Sequence, residues 1–304
     1  MRPLKVGLVL PMLEAVPTGE KVPWSAVREQ TLLAEEIGFD TVLIPDELLW
    51  RPAAWPGPRG FWECVSMTAA VAAATSRIEI GTWVLSTLHR NPGLTAKVVE
   101  TIDEISGGRF LLGLGAGHAG KQGEAFGYPD DRTIGRYEEA LQIIVPLLRE
   151  GRADFHGEFH SATDLEQRPR GPRPGGVPIM LGGHGPRTMR LAVQHADIWS
   201  AFATESSLPA AFEAMLAGLD AACAAAGRDP GSLGRSIGVM VEPTDDHGAE
   251  AADLGVPITG TADEIAGTLS IFAAMGVTRI EVMLWPNTVA AVETMRPVLA
   301  ALDA

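Results

Sequence analysis

Eight short apolar runs of strand length alternate with segments of helical periodicity along this chain of 304 residues. In residues 133–150, for example, Tyr137, Leu141 and Ile144 fall on one helical stripe. The predicted strands are 5–11, 41–45, 78–85, a strand from Phe110, 178–181, 198–201, 236–241 and 279–284. Such alternation favours a closed parallel barrel over an open doubly wound sheet. We therefore predict an α/β fold, a single (β/α)8 TIM barrel domain over residues 1–304, with an irregular insertion around 151–177 that is rich in proline and glycine.

The fourth predicted strand, RFLLGLGAGH, carries Gly113, Gly115 and Gly117 on one face, because side chains alternate along a strand. Glycines in phase usually mean that another backbone or a flat ligand approaches that surface. We interpret the bare face as the wall of a pocket for a planar ring such as a flavin. GLGAG itself is a weak dinucleotide fingerprint, because the third glycine spacing is missing and the strand is not the first of the chain. At the other end of the strand, Arg109 is expected to pair with Asp103 and hold the preceding turn.

Catalytic residues of such barrels lie where strands end and loops begin. Asp46 and Glu47 follow the second predicted strand. One carboxylate is therefore expected to enter the cavity, while the other caps or braces a neighbouring element. A carboxyl group buried among Trp50, Trp55 and Trp62 would have a raised pKa and could serve as acid or base. The alternative is that these two carboxylates cap a helix or lie on the surface and take no part in catalysis.

The segment GGHGPR joins the fifth predicted strand to a helix. Backbone N–H groups at a helix N-terminus suit a phosphate, and Pro186 fits the first helical position. Arg187 adds a positive charge; a plain tight turn is the alternative. His89 and His118 end the third and fourth strands, where each could bind or protonate a substrate or make a structural hydrogen bond.

Composition narrows the possible partners. A net charge of −14 with no run of lysine or arginine disfavours nucleic acid and anionic membranes. Cys64 and Cys223 are far apart in apolar surroundings and are expected to be buried and reduced. No histidine or carboxylate pair has metal-ligand spacing, so we predict no metal. No apolar run of about 18 residues and no signal-peptide cleavage site is found, which predicts a cytoplasmic protein.

The sequence resembles the bacterial luciferase-like monooxygenase superfamily over nearly its whole length. The segments that carry the resemblance are LAEEIGFDTVLIPDE, RIEIGTWVLSTLHRNP, VETIDEISGGRFLLGLGAGH, IGRYEEAL, VPIMLGGHGPRTMRLAVQHADIW and GTADEIAGTLSIFAAMGVTRIEVML. The resemblance implies a barrel that binds FMN or the 5-deazaflavin coenzyme F420 at the carboxyl ends of its strands. The residues implied to contact the cofactor are Asp46, Trp83, Val84, Ala116, Gly117, His118, Gly182, Gly183, His184 and Gly185. Trp83 and Val84 would form a bulge, often with a cis peptide bond, beside the ring, and Gly182 to Gly185 would take the phosphate.

The pattern is most similar to deazaflavin-dependent reductases and dehydrogenases. Several of these carry Asp-His where this chain has Asp46 and Glu47, and the sugar-phosphate enzymes carry Glu at the position of His118. We hypothesise that Glu47 and His118 have exchanged the acid/base and orienting roles, with the substrate held under Trp50 and Trp285.

The expected function is therefore hydride transfer between coenzyme F420 and a small organic substrate. A two-component monooxygenase that uses reduced FMN, a non-catalytic flavin-binding homologue and, more remotely, a metal-dependent barrel hydrolase are the alternatives. Relatives commonly dimerise, so a homodimer through the alanine-rich segments 61–75 or 94–106 is expected.

Overall fold

The computed structural model describes residues 2–53, 55–117, 120–129, 131–243 and 255–304. Eight parallel strands form its centre: β1 (Lys5–Val9), β2 (Thr41–Ile44), β3 (Glu79–Thr82), β4 (Phe110–Gly115), β5 (Ile179–Gly182), β6 (Ile198–Phe202), β7 (Gly234–Glu242) and β8 (Arg279–Leu284). Each strand pairs with the next in the chain, and β8 pairs with β1, so the sheet closes on itself. The predicted (β/α)8 barrel is confirmed.

The helices are α1 (Trp24–Ile37), α2 (Cys64–Ala74), α3 (Pro92–Ser106), α4 (Gly120–Phe126), α5 (Thr133–Arg149), α6 (Pro186–His195), α7 (Glu213–Ala226), α8 (Ala262–Ala274) and α9 (Val289–Asp303). Local signals explain several of their ends. Asn91 caps α3, which stops at Gly107 in the left-handed conformation, and Thr261 and Glu264 form a capping box on α8. The short α4, the next described element after β4, was not predicted from the sequence.

Apolar side chains form two layers. The larger cluster lies between the strands and the helices, and a smaller one, with Val9, Leu43, Leu111 and Met180, lies inside the barrel. Because both strand faces are covered, the strands read as continuous apolar runs rather than alternating ones. The amino-terminal end of the interior is polar instead. There Arg279, which is 4% exposed, bonds to Glu79, Glu281 and Thr41.

The glycines of β4 make room for the protein's own chain. Gly81 pairs with Leu111 and Leu85 with Leu114, so the third strand has one extra residue, a β-bulge, between these pairs. A Cβ atom at position 113 would lie 1.9 Å from the Thr82 carbonyl oxygen. At position 115 it would lie 2.7 Å from the Val84 side chain, and at 117 it would lie 2.1 Å from Ser86 Oγ. The interpretation of this face as a wall stacked against a ring is therefore wrong, because the bulge fills it.

The insertion consists of an antiparallel hairpin and a loop. Arg152–His156 pairs with Ser161–Glu166, and the loop that follows is fastened to α3 by two ion pairs. Arg170 bonds to Glu100 at 2.9 Å, and Arg173 bonds to Asp103 at 2.6 Å. The partner predicted for Asp103 is thus wrong. Arg109 still holds the base of β4, because its guanidinium donates to the carbonyl oxygens of residues 72, 75, 78 and 106.

By length and composition alone, one described stretch, Pro209–Ala226, would be long and apolar enough to cross a membrane. It comprises a 3-10 turn and α7, whose Leu216, Leu219 and Cys223 are buried. The expectation that no segment reaches that length therefore has one exception, although core helices of soluble proteins pass the same test.

Candidate functional site

Trp83 and Val84 lie across the carboxyl end of the barrel interior and form the floor of the candidate site. The Trp83 indole Nε1 donates to Ser200 Oγ at 3.2 Å, and its ring meets Phe202 edge-on at 5.9 Å between centroids. Gly238 leaves the space for this indole, because a Cβ atom there would lie 2.3 Å from the ring. The peptide bond between Trp83 and Val84 is cis, as the resemblance implied. The bulge therefore places two large side chains over the barrel interior.

At the ends of β4 and β5, the rim around this floor consists of small residues. Ala116 and Gly117 follow β4, and Gly182 and Gly183 follow β5; all four are half-buried. The Val84 side chain lies beside β4 and β5, since an added Cβ atom at Gly115 or at Gly182 would lie 2.7 or 3.3 Å from Val84 Cγ2. His118, predicted both to bind cofactor and to act in catalysis, lies outside the described residues.

The start of α6 has the features of a phosphate site. Gly185 is its N-cap residue, Pro186 stands in the first turn, and no side chain of a described residue caps the helix. The first-turn N–H groups are therefore available to an anion. Gly183 has φ +128°, and a Cβ atom there would lie 2.8 Å from Thr188 Oγ1, so the turn depends on glycine. Arg187 is paired with Glu138, and His184 is exposed. The backbone N–H groups are therefore better suited than these two side chains to bind the predicted phosphate.

Asp46 braces the loop after the bulge. Its side chain is fully buried and accepts hydrogen bonds from the Ser86 N–H at 2.8 Å, from His89 Nδ1 at 3.2 Å and from both terminal nitrogens of Arg90 at 2.7 and 3.0 Å. Burial alone would raise the pKa of Asp46, but the hydrogen bonds from His89 and Arg90 outweigh it and lower that pKa. The expected raised pKa is therefore wrong for Asp46, which is held as an anion. Because its side chain is buried, Asp46 can affect the cofactor region only by holding residues 86–90 in place.

Glu47 turns to a different set of partners. Its Oε2 accepts from Trp50 Nε1 at 3.1 Å and from Gln122 Nε2 at 2.5 Å. Gln122, on α4, is 5% exposed, and its Oε1 accepts from the backbone N–H groups of Leu48 and Leu49. Glu47 is thus fixed between the loop that follows β2 and the helix that follows β4.

Aromatic side chains surround Glu47 on one side. The Trp50 ring lies 6.0 Å from Trp55 and 5.0 Å from Phe61, measured between centroids. Trp62 is not part of this cluster, because its indole donates to the Val22 carbonyl and is 39% exposed. Of the two adjacent carboxylates, Glu47 is therefore the one beside the aromatic cluster.

Two side chains that hold the carboxylates had no predicted role. Arg90 holds Asp46, and the signal available for it was its position just after a strand, within HRNP. Gln122 holds Glu47, but no sequence pattern joins a glutamine to a carboxylate 75 positions earlier in the chain.

Metal ligands do not cluster in the part of the chain that the structure describes: no group of three or more His, Cys, Asp or Glu side chains could hold an ion. Cys64 and Cys223 are both free and buried, as predicted. Burial also raises the pKa of the Cys64 thiol, which keeps it protonated.

These features fit a ring-bearing cofactor with a phosphate. The floor is formed by Trp83 and Val84, the rim is of small residues at the ends of β4 and β5, and α6, which no described side chain caps, starts beside them. FMN and coenzyme F420 each carry both groups, and a fixed carboxylate such as Glu47, which follows β2 at the same end of the barrel, can exchange a proton with a substrate.

Comparisons with known proteins find a matching family model and similar sequences. The family model described as luciferase-like monooxygenase matches residues 4–276. The pyrimidine monooxygenase RutA of Cronobacter sakazakii is 34% identical over 208 residues, which is 66% of this chain and 59% of that protein. The 5,10-methylenetetrahydromethanopterin reductase of Archaeoglobus fulgidus is 33% identical over 196 residues, 64% of this chain and 54% of that protein. The matches therefore span somewhat over half the length of these relatives.

A solved structure has the same fold at low sequence identity. It is an F420-dependent secondary alcohol dehydrogenase in complex with an F420-acetone adduct, with a TM-score of 0.81 and 16% identity, covering 99% of both chains.

Proposed function

Because the chain belongs to the luciferase-like monooxygenase family and is an oxidoreductase, we propose that it transfers a hydride between coenzyme F420 and a small organic substrate. The observation that carries the proposal is Glu47, a carboxylate that follows β2 at the carboxyl end of the barrel and is held in place by Trp50 and Gln122. Hydride exchange with an alcohol or a carbonyl needs a proton acceptor or donor at the same place.

When bound, a deazaflavin supplies a ring carbon that accepts or donates hydride. Trp83 and Val84 would support the ring from below, and the first turn of α6 would hold the phosphate. With an alcohol as substrate, the Glu47 carboxylate would take up the hydroxyl proton. With a carbonyl as substrate, a protonated Glu47 would deliver that proton to the oxygen. Asp46 acts indirectly in this proposal, because it positions residues 86–90.

His118 completes the proposal as the group that orients the substrate oxygen. The aromatic cluster of Trp50, Trp55 and Phe61 would cover the substrate and exclude water. These roles rest on chain position for His118 and on proximity to Glu47 for the aromatic residues.

The reductase and dehydrogenase relatives favour the deazaflavin, whereas the similarity to RutA favours a second candidate, a monooxygenase that uses reduced FMN. Titration of the apoprotein with F420 and with FMN separates the two. Tight binding of F420 with turnover independent of oxygen supports the first proposal, and tight binding of FMN with oxygen consumption replaces it by the second.

A small-molecule substrate is consistent with the relatives named above. A single functional domain over residues 1–304, a cytoplasmic location, a homodimer and the absence of nucleic-acid or membrane partners remain predictions. Mass measurement in solution tests the dimer.

A further inference from the structure

β7 ends in a glutamate that the proposed function does not use. The odd-numbered residues from 237 to 241 belong to the apolar cluster between the strands and the helices. The even-numbered residues face the barrel interior instead, because an added Cβ atom at Gly238 would lie 2.3 Å from the Trp83 indole. Side chains alternate along a strand. Glu242, the last residue of β7, therefore lies on the inner face at the carboxyl end of the barrel.

Glu242 is buried between two neighbouring segments. Its side chain belongs to a residue that is only 3% exposed. On one side it is in register with Thr259. On the other side, the Trp285 N–H donates to the Val241 carbonyl oxygen at 3.0 Å, which extends the pairing of β7 with β8 by one residue. Trp285 is therefore the neighbour of Glu242 across this pairing.

Trp285 occupies an inner position as well. Met283 packs against the apolar cluster inside the barrel, and Trp285 is two residues further along the same strand direction. Both residues are half-buried, so they border the open end of the barrel. Proteins bind alkylammonium groups with aromatic faces and carboxylates, because the ring and the anion both attract the cation. Glu242 and Trp285 together supply this combination.

The charges at this end of the barrel also favour a cation. Arg90 follows β3 and Arg187 follows β5, and each of them already bonds to a carboxylate. Glu47, after β2, and Glu242, on β7, add two more carboxylates at the same end. The whole chain has a net charge of −14. Carboxylates around a common cavity focus the field and raise the local concentration of cations.

The two glutamates lie on one side of the barrel. Only β1 and β8 separate β2 from β7 in the closed sheet. Three strand spacings of about 4.8 Å each correspond to about 14 Å along the wall. A short chain that lies against β1 and β8 could therefore present one end to Glu47 and the other to Glu242.

We propose that Glu242 is a specificity-determining residue that binds an alkylammonium group of the substrate. The inference rests on the proposed function for the other end of the substrate, where the reacting oxygen meets Glu47. A neutral substrate of the same shape would desolvate the Glu242 carboxylate without supplying a charge, and it is therefore disfavoured.

The test is a ligand-detected NMR titration of the full chain saturated with F420, or with FMN where F420 does not bind. The probes are aminobutanol and aminohexanol, each compared with the alcohol in which a methyl group replaces the ammonium, pentanol or heptanol. At least one amino alcohol should bind more tightly than its neutral counterpart. Glu242→Gln should lower this ratio of affinities about tenfold, the value of one charge-assisted hydrogen bond. Glu242→Asp should keep part of the preference.

Asp263→Asn is the matched control. Asp263 follows the short strand Ile258–Thr259, which pairs with the end of β7, but it is exposed in the first turn of α8. This variant should keep the wild-type ratio. An equal loss in Asp263→Asn and Glu242→Gln would indicate a diffuse field and overturn the assignment of Glu242.

Thermal unfolding of each variant separates binding from support of the fold. If Glu242→Gln lowers Tm but keeps the ratio, Glu242 only stabilises the end of β7 and the proposal is refuted. The absence of a preference for ammonium in both wild-type pairs refutes it too. If the preference depends on Glu242 but no probe exchanges hydride with either cofactor, the proposed function fails and the specificity site stands. If neutral and amino alcohols react and bind equally well, the proposed function stands and the specificity site fails.

Discussion

Replacing Asp46 by asparagine tests whether this carboxylate is a brace or a reacting group. Its four hydrogen bonds come from Ser86, His89 and the two terminal nitrogens of Arg90. Asparagine keeps the shape but removes the charge, and its amide would place donors against the donors of Arg90. Removing one partner of a buried ion pair costs about 3–5 kcal/mol, because the other charge stays buried and uncompensated.

This loss can be expressed as a change in melting temperature. An unfolding entropy of about 2.1 cal/mol/K per residue, for 304 residues, gives about 0.64 kcal/mol/K. Asp46→Asn should therefore lower Tm by about 5–8 °C in differential scanning calorimetry. Asp131→Asn is the control, since that carboxylate also pairs with an arginine but is 54% exposed, and its Tm should stay near the wild-type value.

The same variant has a signature in pH. The pKa of Asp46 is lowered in the folded state, so its contribution to stability is complete above the unfolded-state pKa of about 3.9. The contribution is lost as pH falls through the lowered, folded-state pKa. The Tm difference between wild type and Asp46→Asn should therefore be constant near neutral pH and shrink in strong acid. A Tm within about 2 °C of wild type at pH 7 would refute the assignment of Asp46 as a brace.

Three further predictions concern the site and the base of the barrel. Glu47→Gln should lower kcat by about 10²–10⁴-fold with little change in cofactor affinity, as steady-state kinetics and titration would show; an unchanged kcat would remove Glu47 from the mechanism. Gly183→Ala should weaken binding of the cofactor, because φ +128° is strained for alanine and the turn before α6, which is proposed to bind the phosphate, must shift. Binding of the same ring compound without its phosphate should be unchanged. Equal weakening of both ligands would contradict a phosphate site at this turn. Arg279→Met should leave the buried Glu281 without its ion-pair partner and destabilise the fold by about 3–5 kcal/mol in urea unfolding, with cofactor affinity in the folded protein unchanged.

Local patterns were sufficient for the elements of the fold. The apolar runs such as TVLI and FLLGLG and the helical stripe of 133–150 depend on neighbouring residues only, and all eight barrel strands were predicted from them. Short elements without periodicity, such as α4 and the pairing of Leu49–Trp50 with Arg59–Gly60, were not predicted.

The glycines of β4 show what the sequence predicts and what only the tertiary structure decides. Three glycines on one face of the strand predicted that another group approaches this face closely, and the structure confirms the close approach. Only the folded chain decides that the approaching group is the bulge of residues 82–86, because the neighbour of β4 is set by closure of the barrel.

Asp46 and Glu47 show the same division. The sequence alone determined that both carboxylates follow a barrel strand and that one of them braces. Which one does so was decided by partners distant in the chain: His89 and Arg90 come from the loop after β3, and Gln122 comes from the helix after β4. Local propensity acts over a few residues, whereas the pKa and the position of a buried carboxylate depend on every charge and donor that the tertiary fold brings within hydrogen-bond distance.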